Sequence, residues 1–335
     1  MQKGSPVVSI RNLNVSFYTN NRMTTAVSDV SLTVRSGKTL CVVGESGCGK
    51  SVTAAAVMRL LPDLSRIERG EIVYHAPGGD VRLDEMDPNG REIRALRGRD
   101  IAMIFQDPMT ALNPVYTVGY QISENIRSHE RAGRRAARDR AVGLLRSMDV
   151  PLPEQRVDEY PHQFSGGMRQ RAMIAIATAL NPKLLIADEP TTALDVTVQA
   201  QIFQIMQNLK EQHGTAILLI THDMGVVTEL ADDVSVMYMG YIVEEGSVDD
   251  VLRRPAHPYT RALLRSIPVL GRGKDQNLEP IRGSTPDPAN RPEGCPFAPR
   301  CDWAADACRA MPETRTLSGG HKVRCWRSEE VLSNG

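Results

Sequence analysis

Two short runs carry residue types that make chemical sense together on a phosphate anhydride. Gly44-Glu45-Ser46-Gly47-Cys48-Gly49-Lys50-Ser51 fits the spacing G-x-x-x-x-G-K-S/T. Glycines at those positions let backbone N–H groups curl around an oligophosphate. Lys50 would neutralise the β- and γ-phosphates, and the Ser51 hydroxyl would ligate Mg²⁺. The second run is Lys183-Leu184-Leu185-Ile186-Ala187-Asp188-Glu189-Pro190. An apolar strand that ends in two acids is costly unless the acids face a cation or a site. Asp188 suits a Mg²⁺ partner acting through water, and Glu189 suits the group that polarises the attacking water. The two runs predict a chain that binds a nucleoside triphosphate and, with Glu189 in place, hydrolyses it.

The elements around them follow from apolar patterning. Thr39-Leu40-Cys41-Val42-Val43 is a continuous apolar run ending in glycine, the pattern of a fully buried parallel strand. A helix is expected over 51–61, closed by Pro62; it places Val52 beside the phosphate loop and aims its positive dipole end at the anion. Upstream, 7–10, 13–17 and 30–34 alternate apolar with polar residues and read as antiparallel strands with one wet face. The segment from Asp107 to Gln163 is a predicted helical insertion. Its Arg131, Arg134, Arg135 and Arg138 read as a solvated helix face rather than a nucleic-acid patch. Downstream, helix (166–180), strand (184–187), helix and strand (216–220) alternate, which implies a parallel sheet covered on both faces.

Forty basic against forty acidic residues, 41% hydrophobic and 24% charged, allow a real core and weaken any reading as a dedicated nucleic-acid binder. No stretch approaches the ~20 apolar residues of a membrane span, and the first residues lack the apolar run of a secretory signal. The expectation is a soluble, intracellular chain. Cys41 and Cys48 read as small core residues. Cys295, Cys301, Cys308 and Cys325 crowd the C-terminus with five, six and sixteen residues between them. Four thiolates suit an iron–sulfur cluster or zinc, and unliganded thiols are the third reading. The tight C-x-x-C pairs usual for structural zinc are missing, which favours the cluster.

Phe164-Ser165-Gly166-Gly167-Met168-Arg169-Gln170-Arg171 resembles the signature of ATP-binding cassette (ABC) ATPases. Ser165 can cap a helix while the Gly166 and Gly167 amides stay open for a phosphate. Because Lys50 already serves this chain's own γ-phosphate, a second anion site makes sense for a neighbour's nucleotide, as in the family's head-to-tail dimer with two ATPs sandwiched. The resemblance extends to Gln106 as the glutamine that touches Mg²⁺ and the attacking water. It likewise covers Thr192-Ala193-Leu194-Asp195 at the dimer seam and His222 as the γ-phosphate switch. Phe17 or Tyr18 would be the aromatic that stacks on adenine. Met168 departs from the family's common glutamine, with little loss expected because the contact comes from backbone and Ser165. Leu317-Ser318-Gly319-Gly320 repeats the signature's core without the arginines and helix after it, and reads as a turn.

Phe105-Gln106-Asp107-Pro108-Met109-Thr110-Ala111-Leu112-Asn113-Pro114, His257-Pro258-Tyr259-Thr260-Arg261-Ala262-Leu263-Leu264 and the cysteine tail together resemble the ATPase subunits of bacterial oligopeptide, dipeptide and nickel importers. The resemblance implies an α/β P-loop fold with a mixed-sheet core, an antiparallel β subdomain and a helical subdomain at about 107–165. It divides the chain into an ATPase domain at 1–267 and a Cys-rich tail at 268–335. It further implies ATP and Mg²⁺, a 4Fe–4S cluster on the tail with zinc as the alternative, and a place on the cytoplasmic face of the inner membrane. Its partners would be two transmembrane permease subunits, a second ABC ATPase (a heterodimer in preference to a homodimer) and, indirectly, an extracytoplasmic solute-binding protein. A non-transport ABC ATPase working on DNA or ribosomes would call for tandem cassettes, a long coiled coil or basic arms. An exporter subunit would leave 107–114 and the cysteine tail unexplained.

Overall fold

Leu184-Leu185-Ile186-Ala187 offers no polar side chain to turn toward water, and it forms a strand, Leu184–Asp188, in which every residue is buried. In this structure, a computed structural model, residues 3–19, 22–192, 194–266 and 281–333 are described. They fall into two units. One takes in the residues up to Val8, Val34–Thr39 and Tyr74–Leu219; the other takes in Ser9–Thr33, Leu40–Val73 and the residues from Ile220 onward.

In the first unit Leu184–Asp188 pairs in parallel with Ile101–Ile104, in the register Ile101 with Leu184 through Ile104 with Ala187. Ala216–Thr221, buried along its whole length, flanks Leu184–Asp188 on the other side. The segment 108–163 holds helices and turns only: Pro108–Ala111, Val118–His129, Arg134–Ser147, Pro153–Arg156 and a 3-10 turn at Pro161–Gln163. Val118–His129, Arg134–Ser147 and Gly166–Thr178 pack on one another. They bury Ile122, Ile126, Ala137, Ala141, Leu145 and Ile174 between them. Gly119 lets the chain come close, since a Cβ there would sit 2.2 Å from Val157 Cγ2. The four arginines singled out in the sequence are all exposed. They do not share one helix, because the chain breaks at 130–133, between the two long helices. Glu130 in that break pairs with Arg140, and Arg138 pairs with Asp158 at 2.6 Å.

In the second unit Thr39–Val43 runs parallel to Asp233–Tyr238, Leu40 opposite Asp233 and Val43 opposite Val236. Asp233–Tyr238 then pairs antiparallel with Tyr241–Ser247, so parallel and antiparallel ladders meet on one strand. The tail continues this edge: Lys322–Val323 pairs antiparallel with Tyr241–Ser247, and Arg315–Thr316 pairs with Lys322–Val323. The antiparallel region expected near the N-terminus has the order Arg22–Arg35, Pro6–Thr19, Ser65–Ala76.

Two local expectations change. The strands expected at 7–10 and 13–17 are one strand, Pro6–Thr19. Asn12 takes a left-handed φ of 48° between them. Its N–H donates to Ser31 Oγ and its amide to Asp29 Oδ1, so the ladder bends without ending. The helix after the phosphate loop is Lys50–Val57, ending before Pro62, because Arg59 turns left-handed (φ 54°) and the Leu60 N–H closes on Ala55 O. Leu317–Gly320 is a turn, as expected, with Gly319 at φ 74°. The tail boundary expected at 268 lies outside the described residues.

Leu185→Ala empties a fully buried site in the central strand. It is expected to cost about 2–5 kcal/mol, whereas Val196→Ala, at a position 80% exposed, should stay within about 0.5 kcal/mol. Denaturant melts of the two variants check this.

Candidate nucleotide-binding site

The Thr39–Val43 strand delivers the chain into a loop whose geometry only glycine allows at two points. Gly44 (φ 155°) and Gly49 (φ 106°) lie so close to neighbouring backbone that a Cβ would sit 2.1 Å from Met237 O and 2.5 Å from Ala26 O respectively. The Lys50 side chain is only 5% exposed. Its Nζ donates to Gly44 O at 2.7 Å and Glu45 O at 3.0 Å, so the ammonium is held over the loop it follows. Gly49 stands at the helix N-cap with no side chain to cap the first amides, which leaves that end suited to an anion. Ser51 is exposed and Val52 half-buried on the first turn, while Ser46 and Gly47 form the exposed tip of the loop. Cys48 is buried beneath the loop, and burial pushes its thiol up, in keeping with a core role. In the same unit Tyr18 is exposed; its hydroxyl donates to Glu68 at 2.7 Å and Arg66 lies 5.4 Å over its ring. Phe17 is half-buried, and His222 is exposed directly after the Ala216–Thr221 strand.

The first unit holds the acids. Asp188 is buried at the strand end, and Glu189, half-buried, has a left-handed φ of 47°. A non-glycine residue there is uncommon and costs energy that the surroundings must offset. They do: Glu189 Oε2 accepts from Gln106 Nε2 at 2.9 Å and from Thr192 Oγ1 at 3.1 Å. Gln170 Nε2 donates to Pro190 O and Gln199 Nε2 to Thr191 O, fixing the turn that follows. The structure thus brings Gln106 and Glu189 together, as expected of partners in one reaction. It adds Thr192, Gln170 and Gln199 around that turn: the first two stand in the seam and signature runs with no part expected beside Glu189, and Gln199 stands in neither. Gln170 was visible as a member of the signature run, not as a donor to Pro190 O.

Ser165 caps the Gly166–Thr178 helix, accepting from Met168 N at 3.3 Å. Around Gly166 a Cβ would meet nothing within 4 Å, whereas at Gly167 it would touch Val198. The helix end is therefore exposed and open on the Gly166 side. Asp195 caps the Val196–His213 helix, accepting from Val198 N at 3.0 Å; Ala193, in the same expected motif, lies outside the described residues.

Cys295, Cys301, Cys308 and Cys325 all line one small pocket with His257, Phe297, Trp303 and Trp326. The Trp303 N–H points to Cys301 Sγ at 3.3 Å and the Arg327 N–H to Cys325 Sγ at 3.4 Å. Burial is the main cause that pushes the Cys301 thiol up to about 12 and Cys325 up to about 11, with neighbouring sulfurs adding to it. Among the described residues, no group of three or more His, Cys, Asp or Glu is drawn together as tightly as a bound metal ion requires.

Residues 27–192 match the family model described as ABC transporter, and residues 243–308 the one described as Oligopeptide/dipeptide transporter, C-terminal region. The oligopeptide transport ATP-binding protein AppD of Bacillus subtilis is 46% identical over 330 residues, 97% of this chain and 98% of its own length. The chain belongs to the ABC transporter ATP-binding subunits. The dipeptide transport ATP-binding protein DppD of Haemophilus influenzae is 45% identical across 95% of this ABC subunit and 94% of its own length. A dimeric ATP-binding cassette solved in a post-hydrolysis state with ADP and phosphate superposes with a TM-score of 0.63 at 26% identity, covering 72% of this chain and 98% of that one. This ABC subunit is accordingly an ATPase of the P-loop fold. Its C-terminal match ends at 308, short of Cys325.

Reduced, iron-free ABC subunit should carry Cys301 and Cys325 as neutral thiols at pH 8, because both are displaced upward from the ordinary thiol range near 9. Alkylation by iodoacetamide is expected at least about tenfold slower at these two positions than in the denatured chain, since only the thiolate reacts. Peptide mapping of the labelled protein reads the ratio.

Proposed function

We propose that this ATPase powers the import of peptides or related small solutes across the cytoplasmic membrane, working from its cytoplasmic face against two permease subunits. The observation that carries the reading is the pairing, in one chain, of an ABC ATPase match with an oligopeptide/dipeptide C-terminal region, in relatives aligned over nearly their whole length. Among the described residues no helix is long and apolar enough to cross a membrane, so the spanning parts would be separate chains. An extracytoplasmic binding protein would deliver the solute. The helical segment 107–165 of the 1–267 ATPase domain would receive the permease.

In the proposed cycle Gly44–Ser51 and Val52 wrap the oligophosphate, and Lys50 exchanges loop carbonyls for phosphate oxygens. Phe17 or Tyr18 stacks on adenine. Ser51, Asp188 and Gln106 offer the hard oxygen donors that Mg²⁺ prefers; when bound, the ion neutralises charge on the β- and γ-phosphates. Glu189 orients the attacking water and takes its proton, and His222 contacts the γ-phosphate. Ser165, Gly166 and Gly167 would complete a second subunit's site, with Asp195 beside them at the seam. The open space around Gly166 and the exposed helix end support that reading, since a phosphate from outside can reach the amides. The partner would be a related ATPase rather than a second copy.

The four sulfurs of the 268–335 tail suit a 4Fe–4S cluster, with zinc as the alternative. A bound cation would reverse the cost of ionising thiols that burial now keeps protonated. The N–H groups aimed at Cys301 and Cys325 are the hydrogen bonds that tune such sulfurs. When bound, the cluster would crosslink the tail.

Glu189→Gln should bind ATP normally, lose about 10²–10⁴-fold in turnover and accumulate as a closed dimer; wild-type turnover would remove the base assignment. Anaerobically purified chain should be brown and contain iron. Colourless, iron-free protein with bound zinc would favour the alternative.

A further inference from the structure

Glu45, the second residue of the phosphate loop, is gripped on three sides. Its N–H donates to Tyr259 Oη at 2.9 Å, and its carbonyl oxygen accepts from Lys50 Nζ. Its carboxylate accepts from both terminal nitrogens of Arg300, at 2.6 and 3.0 Å, and from Thr285 Oγ1 at 3.1 Å. The Arg300 side chain is 5% exposed. It is held in turn by Arg282 O at 2.8 Å through its Nε and by Tyr238 Oη at 3.3 Å. Tyr259 belongs to the His257-Pro258-Tyr259 run, whose purpose the ATPase chemistry leaves unexplained. Its ring packs with those of Tyr238 and Phe297, at 4.6 and 5.3 Å between centroids. Arg300 directly precedes Cys301, and Phe297 stands two residues after Cys295. The same short turns that carry the cysteines therefore carry the groups that hold the loop.

A carboxylate inside a cradle for a polyanion is an electrostatic liability. Like charges brought together out of bulk water repel strongly unless a cation stands between or beside them. Arg300 supplies that cation in bidentate geometry, the strongest form such a pair takes. We propose that Arg300 is a positioning residue for nucleotide binding: it neutralises Glu45 and thereby makes the Gly44–Ser51 loop accept an oligophosphate. The C-terminal tail is in this sense a part of the nucleotide site. The proposal rests on the reading of the loop as the phosphate cradle.

The test is the dissociation constant of the full-length chain for Mg·ADP, by titration calorimetry, with thermal melts in parallel. Lys50→Ala should bind at least about tenfold more weakly. Arg300→Met, which strands the Glu45 carboxylate, should weaken binding by about tenfold or more. Glu45→Gln/Arg300→Met should bind as Glu45→Gln alone does, and more tightly than Arg300→Met, because no charge is left to neutralise. A merely structural arginine would give a double variant as weak as Arg300→Met, and that result overturns the proposal. So does unchanged binding in Arg300→Met while Lys50→Ala is defective. If Lys50→Ala binds like wild type, the cradle reading itself falls and takes the proposal with it. Should Arg300→Met fail to fold, Arg300→Gln, which removes the charge while keeping a hydrogen-bonding side chain, takes its place in both the single and the double variant, with the same outcomes supporting and overturning the proposal.

Discussion

The buried ammonium of Lys50 constrains much of what surrounds it. A lysine taken out of water needs acceptors, and here two carbonyls of its own loop, Gly44 and Glu45, accept from its ammonium. For those carbonyls to face inward the chain must run back over the helix start, and that path passes so near Met237 and Ala26 that positions 44 and 49 can carry no Cβ. Glu45, whose carbonyl is committed to Lys50, has its side chain held by Arg300 and Thr285 of the tail and its N–H by Tyr259.

The acids are positioned by a different kind of constraint. Glu189 sits one residue past a strand whose every side chain is buried, and its left-handed backbone swings the chain out of the sheet direction at that point. Such a conformation persists only when neighbours over-determine it. Hydrogen bonds from Gln106 and Thr192 to a single carboxylate oxygen, with Gln170 and Gln199 on the carbonyls that follow, supply that determination. Gln106 itself lies two residues past the adjoining parallel strand, so the register Ile104 with Ala187 is what brings an amide to the carboxylate. Sheet pairing and the geometry around Glu189 are one fact seen at two scales.

Chemistry carried by contiguous residues was legible in the sequence, and so were strands with unbroken apolar runs. Thr39–Val43 and Leu184–Asp188 form where the composition leaves no alternative, and Ser165 caps the helix that its hydroxyl and the two glycines foretell. Misplaced boundaries share a cause. At Asn12 and Arg59 a left-handed residue redirects the chain, and single-residue dihedrals leave no periodic trace. The arginine-rich stretch spans two helices because the break at 130–133 is short and polar, like the helical surface on either side of it. Least legible was Arg300. It lies 255 positions from Glu45, in a segment without periodicity, and nothing in its neighbours distinguishes it from the other arginines. An ion pair set by tertiary structure has no local signature.

That distance also bears on why the tail has the form it has. Its described strands are two residues long, and among the described residues its buried apolar side chains are few: Pro296, Phe297, Pro312, Val323 and Val331, with Cys295 and Cys308 among them. A segment of this size with so small a core does not fix a guanidinium through hydrophobic burial alone. Two things compensate. The backbone is tied across itself, Cys295 N–H to Cys308 O at 2.9 Å, and the tail is tied to the sheet edge through Glu244, whose fully buried carboxylate meets His321 at 2.8 Å and the Ala256 and His257 amides. Whatever further crosslinks the four sulfurs would stiffen the same turns that place Phe297 and Arg300. Residue 300 stands beside residue 301, so the turn that carries Cys301 also carries the guanidinium that pairs with Glu45.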